Sequence, residues 1–529
     1  MNFTIASNTG RQCQVLWPKR CLRDLRKGSP TKATYNERYL LNVRFLNSDV
    51  DYRLDGGITE GVWIFCRHGD RTPGRVLSPG HNQNKEGAFW VSRLPYPDTK
   101  SAFADFCKYF PPDVHVGTNQ GQFMDSKRNP FGFLTRKGLR QLKENGHRFF
   151  NRYKRENAHN LPEKDEGKYE TANDFLEAWD IKVFSTNYMR TIMSAQSFLE
   201  GLLGTHCFAP SLERKLDPYL SKEISVPDHK WVRDTFFHND RQRKQHMIPI
   251  KVRELHKDPL NAFDRNPDMM ADLVGDVMKG RSFNARDSAA APLAGRLSNI
   301  LPGLVRLHRS SFASRAPSGI NWVEAADHFL CRESHNLPLS KFSNFEMDDR
   351  VEQTLKAMSS QTKAHLSWRF RKWYQSKPLL AAIAAPPLRE IVDQMKIIIS
   401  SSSSSSQTTN NVAAKKRPFV LYSCHDVTIL GLLYGIGASF LADETAPGAD
   451  YWPPYASTLV FELVRTNNGD FVIRILVCDG GIVSHIIECV DFDDQNLAKL
   501  GFGSGGMMRV EDLENIVEKH EDTGYCAKL

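Results

Sequence analysis

Seven consecutive residues of this chain, Arg-His-Gly-Asp-Arg-Thr-Pro at positions 67–73, have side chains suited to phosphate chemistry. Arg67 and Arg71 stand four positions apart across a glycine turn, and two guanidiniums so placed can fork onto the oxygens of one phosphoryl group. His68, between them, can present a ring nitrogen to phosphorus. Gly69 lets the backbone turn without a clashing Cβ. The spacing therefore predicts a phosphate site that has a histidine beside the phosphorus atom.

Two further groups of polar residues follow short apolar runs. Arg190 comes soon after the run 181–184, and His425 and Asp426 come soon after the run 419–422. A His-Asp pair by itself is more often a helix cap or a surface pair. Its position at the end of a buried run, in a chain that also holds the heptapeptide, favours a catalytic role. Arg190 alone would be an ordinary arginine at the start of a helix.

The elements that must position these residues can be predicted from hydrophobic pattern. The runs 62–66, 181–184 and 419–422 are apolar with little alternation, which is typical of parallel strands buried on both faces. Helical patterns follow the second and third runs, over 191–203 and 427–434. This order predicts an α/β fold, a layered and mainly parallel sheet with flanking helices. Ligands in such folds bind beyond the carboxyl ends of the strands, where the polar residues lie.

The rest of the chain divides by composition. Residues 205–385 lack comparable strands and are predicted to be a mostly helical cap or insertion. The polar tract 400–411 cannot bury a core and is predicted to be a disordered loop. An Asn-Gly pair between 458–464 and 471–477 predicts a β-hairpin. The predicted order is a basic N-terminal tail, a first part of the α/β core, the cap, a helix with the Ser-rich loop, and a second part of the core: 1–50, 51–204, 205–385, 386–417 and 418–529.

Charge and targeting features limit the classes of partner. The formal net charge is +9, but nine Lys/Arg against three Asp/Glu place +6 of it in residues 1–50. The body is therefore nearly balanced, which argues against a nucleic-acid binder. The longest apolar run, 427–442, holds three glycines and is too short for a membrane span. Without an apolar secretory segment near Met1, we expect an intracellular, cytoplasmic protein, and a mitochondrial transit peptide is the alternative interpretation of the basic N-terminus. Nothing in the sequence predicts an oligomeric state.

The heptapeptide resembles the signature of the histidine phosphatase superfamily, in its acid phosphatase branch. Further segments of that family have counterparts here in the right order: L-T-x-x-G-x-x-Q at 134–141, S-T-x-x-x-R-x-x-x-S-A at 185–195, H-D at 425–426, and P-P-Y-A of the late sheet at 453–456. The resemblance spans about 60–490 and is interrupted by the cap and the serine tract. It implies a phosphate-ester hydrolase with the fold of that family.

This resemblance also implies a role for each candidate residue. His68 is the nucleophile that forms a transient phosphohistidine. Asp426 protonates the leaving oxygen and then helps to activate water. The other candidates hold the phosphoryl oxygens: Arg67, Arg71, Arg190 and His425. Because arginines provide the positive charge, we expect no metal or other cofactor, and the expected partner is a small-molecule phosphate ester.

Two alternatives are a phosphoglycerate-mutase-like enzyme and a catalytically silent phosphate-binding or scaffold module. Mutase-like enzymes usually continue differently after Arg-His-Gly and use a glutamate as acid, whereas silent relatives lose the nucleophile or the acid. The long segment 74–133 resembles intracellular lysophosphatidic acid phosphatases more than secreted prostatic-type enzymes or phytases, which implies a lysophospholipid or another small organic phosphate as substrate. His328, Cys331 and His335 fit no usual zinc spacing and are predicted to lie on an amphipathic cap helix with solvated histidines.

Overall fold

The computed structural model describes these residues: 57–78, 80–95, 110, 112–114, 130–154, 172–204, 248–304, 320–344, 348–404, 416–441, 450–479, 482–486 and 507–525. Within them, one mixed sheet is flanked by helices, which confirms the predicted α/β class. The predicted basic tail, 1–50, lies outside the described residues. The division of the chain into core and cap stays a prediction.

Nine strands form one sheet in the described part of the chain: β1 Ile58–Arg67, β2 Pro112–Val114, β3 Trp179–Ser185, β4 Ile250–Val252, β5 Arg417–Cys424, β6 Thr458–Arg465, β7 Phe471–Asp479, β8 Ile482–Ile486 and β9 Met507–Arg509. Their order across the sheet is β2-β4-β3-β5-β1-β6-β7-β8, and β9 pairs with β7. The first five pair in parallel and the others pair antiparallel. Arg67 is in register with Cys424, and Ser185 with Ser423, so β1, β3 and β5 end side by side.

Helices cover both faces of this sheet. In the described ranges they are α1 Gly80–Val91, α2 Arg136–Lys154, α3 Ala172–Ala178, α4 Met189–Leu203, α5 Ala262–Arg265, α6 Pro267–Lys279, α7 Arg281–Ala289, α8 Ala291–Ile300, α9 Trp322–Ser334, α10 Asp349–Tyr374, α11 Lys377–Ser404, α12 Asp426–Gly435 and α13 Val510–Glu521. Apolar side chains of α2 and α4, such as Leu142 and Phe198, share a core with Val62 and Ile64 of β1. None of these helices is long and apolar enough to cross a membrane.

The three strands predicted from apolar runs are confirmed, and each extends beyond its run. Every residue from Val62 to Arg67 is buried, because β1 lies between β5 and β6 and its two faces are covered. The predicted hairpin is also confirmed, as β6 and β7, with Gly469 of its turn at a φ of 89°. Only glycine adopts that φ without a steric cost.

Two predictions for the middle of the chain differ from the structure. Strand β4 lies inside the predicted cap, yet it pairs with both β2 and β3; three residues are too few to stand out as an apolar run. The loop predicted over 400–411 is wrong for Ser400–Ser404, which continue α11. Serine hydroxyls there donate to carbonyls one turn earlier, as Ser402 does to Ile398 at 3.0 Å, and so satisfy themselves within the helix. Residues 405–411 lie outside the described residues.

Candidate active site

The heptapeptide leaves β1 at the carboxyl edge of the parallel strands. The Arg67 amide donates to the Ser457 carbonyl at 2.9 Å, and the His68 amide donates to the carbonyl of Cys424, at the end of β5, at 3.1 Å. The Ala456 amide donates in turn to the His68 carbonyl at 3.1 Å. Ala456 has a φ of 62°, which is unusual for alanine. His68 is therefore fixed by its backbone between β5 and the loop that precedes β6.

The segment 134–141 packs against the heptapeptide and bonds to its backbone. The Asp70 amide donates to Oε1 of Gln141 at 2.8 Å, and the Thr135 amide donates to the Asp70 carbonyl at 3.0 Å. A Cβ on Gly69 would lie 2.5 Å from the Gly138 carbonyl oxygen, so this close approach requires glycine. The residues that the sequence motif specifies in this segment thus hold the backbone of the heptapeptide.

The hydrogen bonding of His68 defines its tautomer. The side chain is buried, and its Nδ1 lies 2.9 Å from the carbonyl oxygen of Gly69. Because a carbonyl oxygen only accepts, Nδ1 carries the proton and Nε2 keeps its lone pair. Burial and the positive charge of three nearby arginines hold the pKa of His68 well below its usual value; in order of effect they are Arg190, Arg67 and Arg71. The ring is therefore neutral at the pH values at which an ordinary histidine is protonated.

Arg67 connects the heptapeptide to the His-Asp pair. Its Nη2 lies 2.7 Å from Oδ2 of Asp426, and its Nη1 donates to the Pro453 carbonyl at 2.5 Å. The guanidinium carbon stands 4.3 Å from the centroid of the Tyr455 ring, a distance suited to a cation–π contact. These contacts hold the Arg67 side chain in one place. The side chain of its ion-pair partner, Asp426, is 19% exposed.

Arg71 is held by a residue that the sequence does not mark. Asp327 of α9 accepts from Arg71 in a two-point pair, with 2.7 Å between Nη2 and Oδ1 and 3.1 Å between Nη1 and Oδ2. The same carboxylate accepts from the Gly74 amide at 2.7 Å. Because α9 lies in the predicted cap, 256 positions from Arg71, no local motif connects the two residues.

Helix α9 also corrects the prediction of solvated histidines. A helix does contain His328 and Cys331, as predicted, but His328 is 1% exposed and the His335 side chain is 8% exposed. Nε2 of His335 lies 2.8 Å from Oδ1 of Asp70, and the Ser334 hydroxyl donates to the same carboxylate. Burial alone would raise the pKa of Asp70, but these hydrogen bonds hold it below its usual value. His335, the residue after α9, is buried because this end of the helix packs on the heptapeptide. In the described ranges, no three His, Cys, Asp or Glu side chains are placed to hold a metal ion.

Arg190 and His425 approach the same point from β3 and β5. Arg190 lies in the first turn of α4, with its guanidinium 4.1 Å from the centroid of the Tyr188 ring. Nε2 of His425 lies 3.0 Å from the Thr186 hydroxyl, and its ring centroid is 5.6 Å from that of His68. Burial, and then the charge of Arg190, hold the pKa of His425 well below its usual value.

Asp426 is the first residue of α12 and is held by several donors. Besides Arg67, it accepts from Nε1 of Trp452 at 3.0 Å and from the Val427 amide at 2.9 Å. Burial alone would raise the pKa of Asp426, but the charges of Arg67 and Arg71 hold it below its usual value. In the free protein this group is therefore a carboxylate. The structure thus brings all six predicted residues together, at the edge where β1, β3 and β5 end: Arg67, His68, Arg71, Arg190, His425 and Asp426.

A comparison with protein families decides the class of the molecule. A family model described as "Histidine phosphatase superfamily (branch 2)" matches residues 60–478, which is well over half of the chain. The chain belongs to this superfamily. A histidine phosphatase of this branch is a histidine acid phosphatase, a phosphoric monoester hydrolase that works through a phosphohistidine. The enzyme class predicted from the sequence is therefore confirmed.

Solved structures similar to this histidine phosphatase include phytases. The apo phytase of Hafnia alvei is 13% identical, with a TM-score of 0.46, and the match covers 88% of this chain and 98% of that one. The multiple inositol polyphosphate phosphatase of Bifidobacterium longum, in complex with inositol hexasulfate, is 12% identical, with a TM-score of 0.47 and coverage of 89% and 94%. No curated protein matches the chain. The assignment to the histidine phosphatases therefore rests on the family model.

Proposed function

We propose that this enzyme hydrolyses phosphate monoesters in two steps, with His68 as the nucleophile. The observation that carries the proposal is the protonation of the ring: Nδ1 donates to Gly69, so Nε2 holds a lone pair. In the first step Nε2 attacks phosphorus, the bond from phosphorus to the alcohol oxygen breaks, and that oxygen takes a proton. In the second step a water oxygen attacks phosphorus, the phosphorus–nitrogen bond breaks, and inorganic phosphate leaves.

The phosphoryl oxygens bind four side chains in this proposal: Arg67, Arg71, Arg190 and His425. The charges of the three arginines act on His68, and the His425 ring centroid lies 5.6 Å from that of His68, which supports their closeness to the reacting nitrogen. Among the described residues, Nε of Arg67 and Nε of Arg71 are buried and have no hydrogen-bond partner. Buried donors are rarely left unsatisfied, so these two are suited to bind a ligand oxygen. Fixed donors of this kind stabilise the charge that develops in phosphoryl transfer.

Asp426 supplies the proton to the leaving oxygen and takes one from the attacking water. In the free enzyme its carboxylate pairs with Arg67. A bound phosphoryl dianion competes for that guanidinium and adds negative charge nearby, and both effects raise the pKa of Asp426. The residue therefore gains its proton as substrate binds, which favours turnover in mildly acidic solution. The low pKa of His68 keeps the nucleophile neutral under the same conditions.

The substrate is a lysophospholipid or another small organic phosphate with one phosphoryl group. The leaving group must lie beside Asp426, and an aromatic pair adjoins that residue: Trp452 donates to it, and Phe370 packs edge to face on Trp452, with 5.0 Å between the ring centroids. Such rings favour a leaving group with hydrocarbon character. Arg75, which follows the heptapeptide, pairs with Glu324 at 2.6 Å, so its charge is largely neutralised and does not favour a second phosphoryl group there.

His68→Ala tests the nucleophile. We expect turnover to be lost for every ester and no acid-labile, base-stable phosphoenzyme to form after quenching. His256→Ala, at a side chain that is 66% exposed, is the matched control and should behave as wild type. A labelled phosphoenzyme in the His68→Ala protein would disprove the assignment.

Phosphate release from a lysophosphatidate, inositol hexakisphosphate and phosphotyrosine tests the substrate. We expect kcat/KM to be highest for the lysophosphatidate, because it combines one phosphoryl group with a hydrocarbon chain. A preference for inositol hexakisphosphate would reject the proposed substrate class and leave the proposed mechanism standing.

A further inference from the structure

The guanidinium of Arg71 is divided between two functions. Its Nη1 and Nη2 both contact the Asp327 carboxylate, and Nη1 also donates to the carbonyl of Thr72 at 2.9 Å. In the described part of the chain, its Nε is buried and has no hydrogen-bond partner. One edge of the group is therefore occupied by protein, and the other edge keeps a donor for a ligand.

The carboxylate of Asp327 is itself held by several donors. The Gly74 amide donates to Oδ2 at 2.7 Å, and the Cys331 thiol lies 3.6 Å from Oδ1. Cys331 in turn lies 3.4 Å from the hydroxyl of Tyr455, whose ring contacts Arg67. A two-point pair between a planar carboxylate and a planar guanidinium fixes the plane of both groups, which a single contact does not do.

We propose that Asp327 is a positioning residue for catalysis and acts through Arg71. By holding the Nη edge, it fixes the plane of the guanidinium and turns the Nε edge toward the phosphoryl oxygens. The inference rests on the proposed role of Arg71 in phosphate binding. Because Asp327 belongs to α9, a helix of the predicted cap thereby orients an arginine of the core.

Helix α9 makes a second ion pair, which provides a control for the docking of the helix on the chain near the heptapeptide. Glu324, on the same helix, pairs with Arg75, which follows the heptapeptide, with 2.7 Å between Nε and Oε2. Both pairs join α9 to the same stretch of chain, but only Asp327 contacts an arginine of the proposed phosphate site. Glu324→Gln is thus the matched control for Asp327→Asn.

The first experiment measures steady-state kinetics of Asp327→Asn and Glu324→Gln with an alkyl phosphate and p-nitrophenyl phosphate. Loss of one oxyanion donor typically lowers kcat by about 100- to 1,000-fold. An arginine that is present but misdirected still provides part of the stabilisation, so the loss should be smaller. We expect Asp327→Asn to lower kcat by about 10- to 100-fold for both esters, with a much smaller change in KM. We expect Glu324→Gln to keep kcat within about twofold of wild type. Equal losses in the two variants would mean that Asp327 only docks the helix, and would overturn the inference.

A double-mutant cycle provides the decisive measurement. If Asp327 acts only through Arg71, Asp327→Asn should cause no further loss of kcat in an Arg71→Ala background. Additive losses would overturn the inference while leaving the role of Arg71 intact. Full activity of Arg71→Ala alone would reject the proposed phosphate site and the inference with it. If Asp327→Asn lowers the melting temperature too far for assay, Asp327→Ser removes the same carboxylate and should give the same pattern.

Discussion

Replacing Asp426 by asparagine changes two properties of the site at once. The side chain keeps its size and can still accept from Trp452, which is 3.0 Å away in the wild type. It can no longer donate a proton to a leaving alkoxide. It also releases Arg67 from an ion pair with 2.7 Å between its atoms. The two changes have opposite effects, one on the chemical step and one on phosphate binding.

The size of each effect can be estimated from these contacts. General acid catalysis contributes about 100- to 10,000-fold, and this factor should be lost for an alkyl ester, whose leaving group needs the proton. A nitrophenolate leaves without help, so its rate should fall by less than about tenfold. A hydrogen-bonded charged contact contributes about 1.5 to 3 kcal/mol. In the variant, Arg67 gives up no such contact when it binds phosphate. Inorganic phosphate should therefore inhibit the variant at concentrations about 10- to 100-fold lower than those that inhibit the wild type.

The assay compares kcat for an alkyl phosphate and p-nitrophenyl phosphate, together with product inhibition by phosphate. The two esters share the phosphoryl site, so each serves as the control for the other. Equal losses of kcat for both esters would remove Asp426 as the general acid. Unchanged inhibition by phosphate would show that the ion pair with Arg67 does not compete with the substrate.

Three further predictions concern charge, stability and backbone conformation. Turnover should survive excess EDTA and be inhibited by vanadate, because arginines supply the positive charge; activity restored by a divalent ion after chelation would refute this. Glu462→Gln should lower the free energy of unfolding by about 3 kcal/mol at neutral pH. The reason is that Arg152 and Arg474 hold the pKa of this fully buried carboxyl at about 2 in the folded protein, whereas its pKa is 4.5 in the unfolded chain. Since the folded pKa is the lower one, the difference between variant and wild type should shrink as the pH falls from 4.5 toward 2 in denaturant titrations; a constant difference would contradict the assignment. Ala456→Val should lower the melting temperature and kcat by straining a left-handed residue, at about 1 to 3 kcal/mol, whereas Ala456→Gly should retain both; equal behaviour of the two variants would exclude backbone strain as the cause.

The catalytic edge of the sheet could be predicted from the sequence because each part of it is local. A buried strand and the polar residue that follows it are adjacent in the chain, as Val62 to Cys66 are to Arg67, so hydrophobic pattern and motif identify them together. Parallel pairing then brings the ends of separate strands to one place. The antiparallel hairpin was equally predictable from its Asn-Gly turn.

Features that depend on contacts between distant segments could not be predicted. Asp327 has no motif around it, and its importance comes only from its distance to Arg71. His328 and His335 have an ordinary amphipathic spacing, and the burial of His335 follows from a contact with Asp70, 265 positions away.

The place of β1 in the sheet has a consequence for biosynthesis. Both of its neighbours, β5 and β6, come from the last part of the chain, and Arg417, where β5 begins, follows Arg67 by 350 positions. At about 5 to 20 residues per second, a ribosome needs on the order of 20 to 70 s to make that stretch. During this time an apolar strand with two unpaired edges, followed by the proposed nucleophile, has emerged without either partner. Such a strand is open to aggregation, so we expect the nascent chain to depend on chaperones until its C-terminal part is complete.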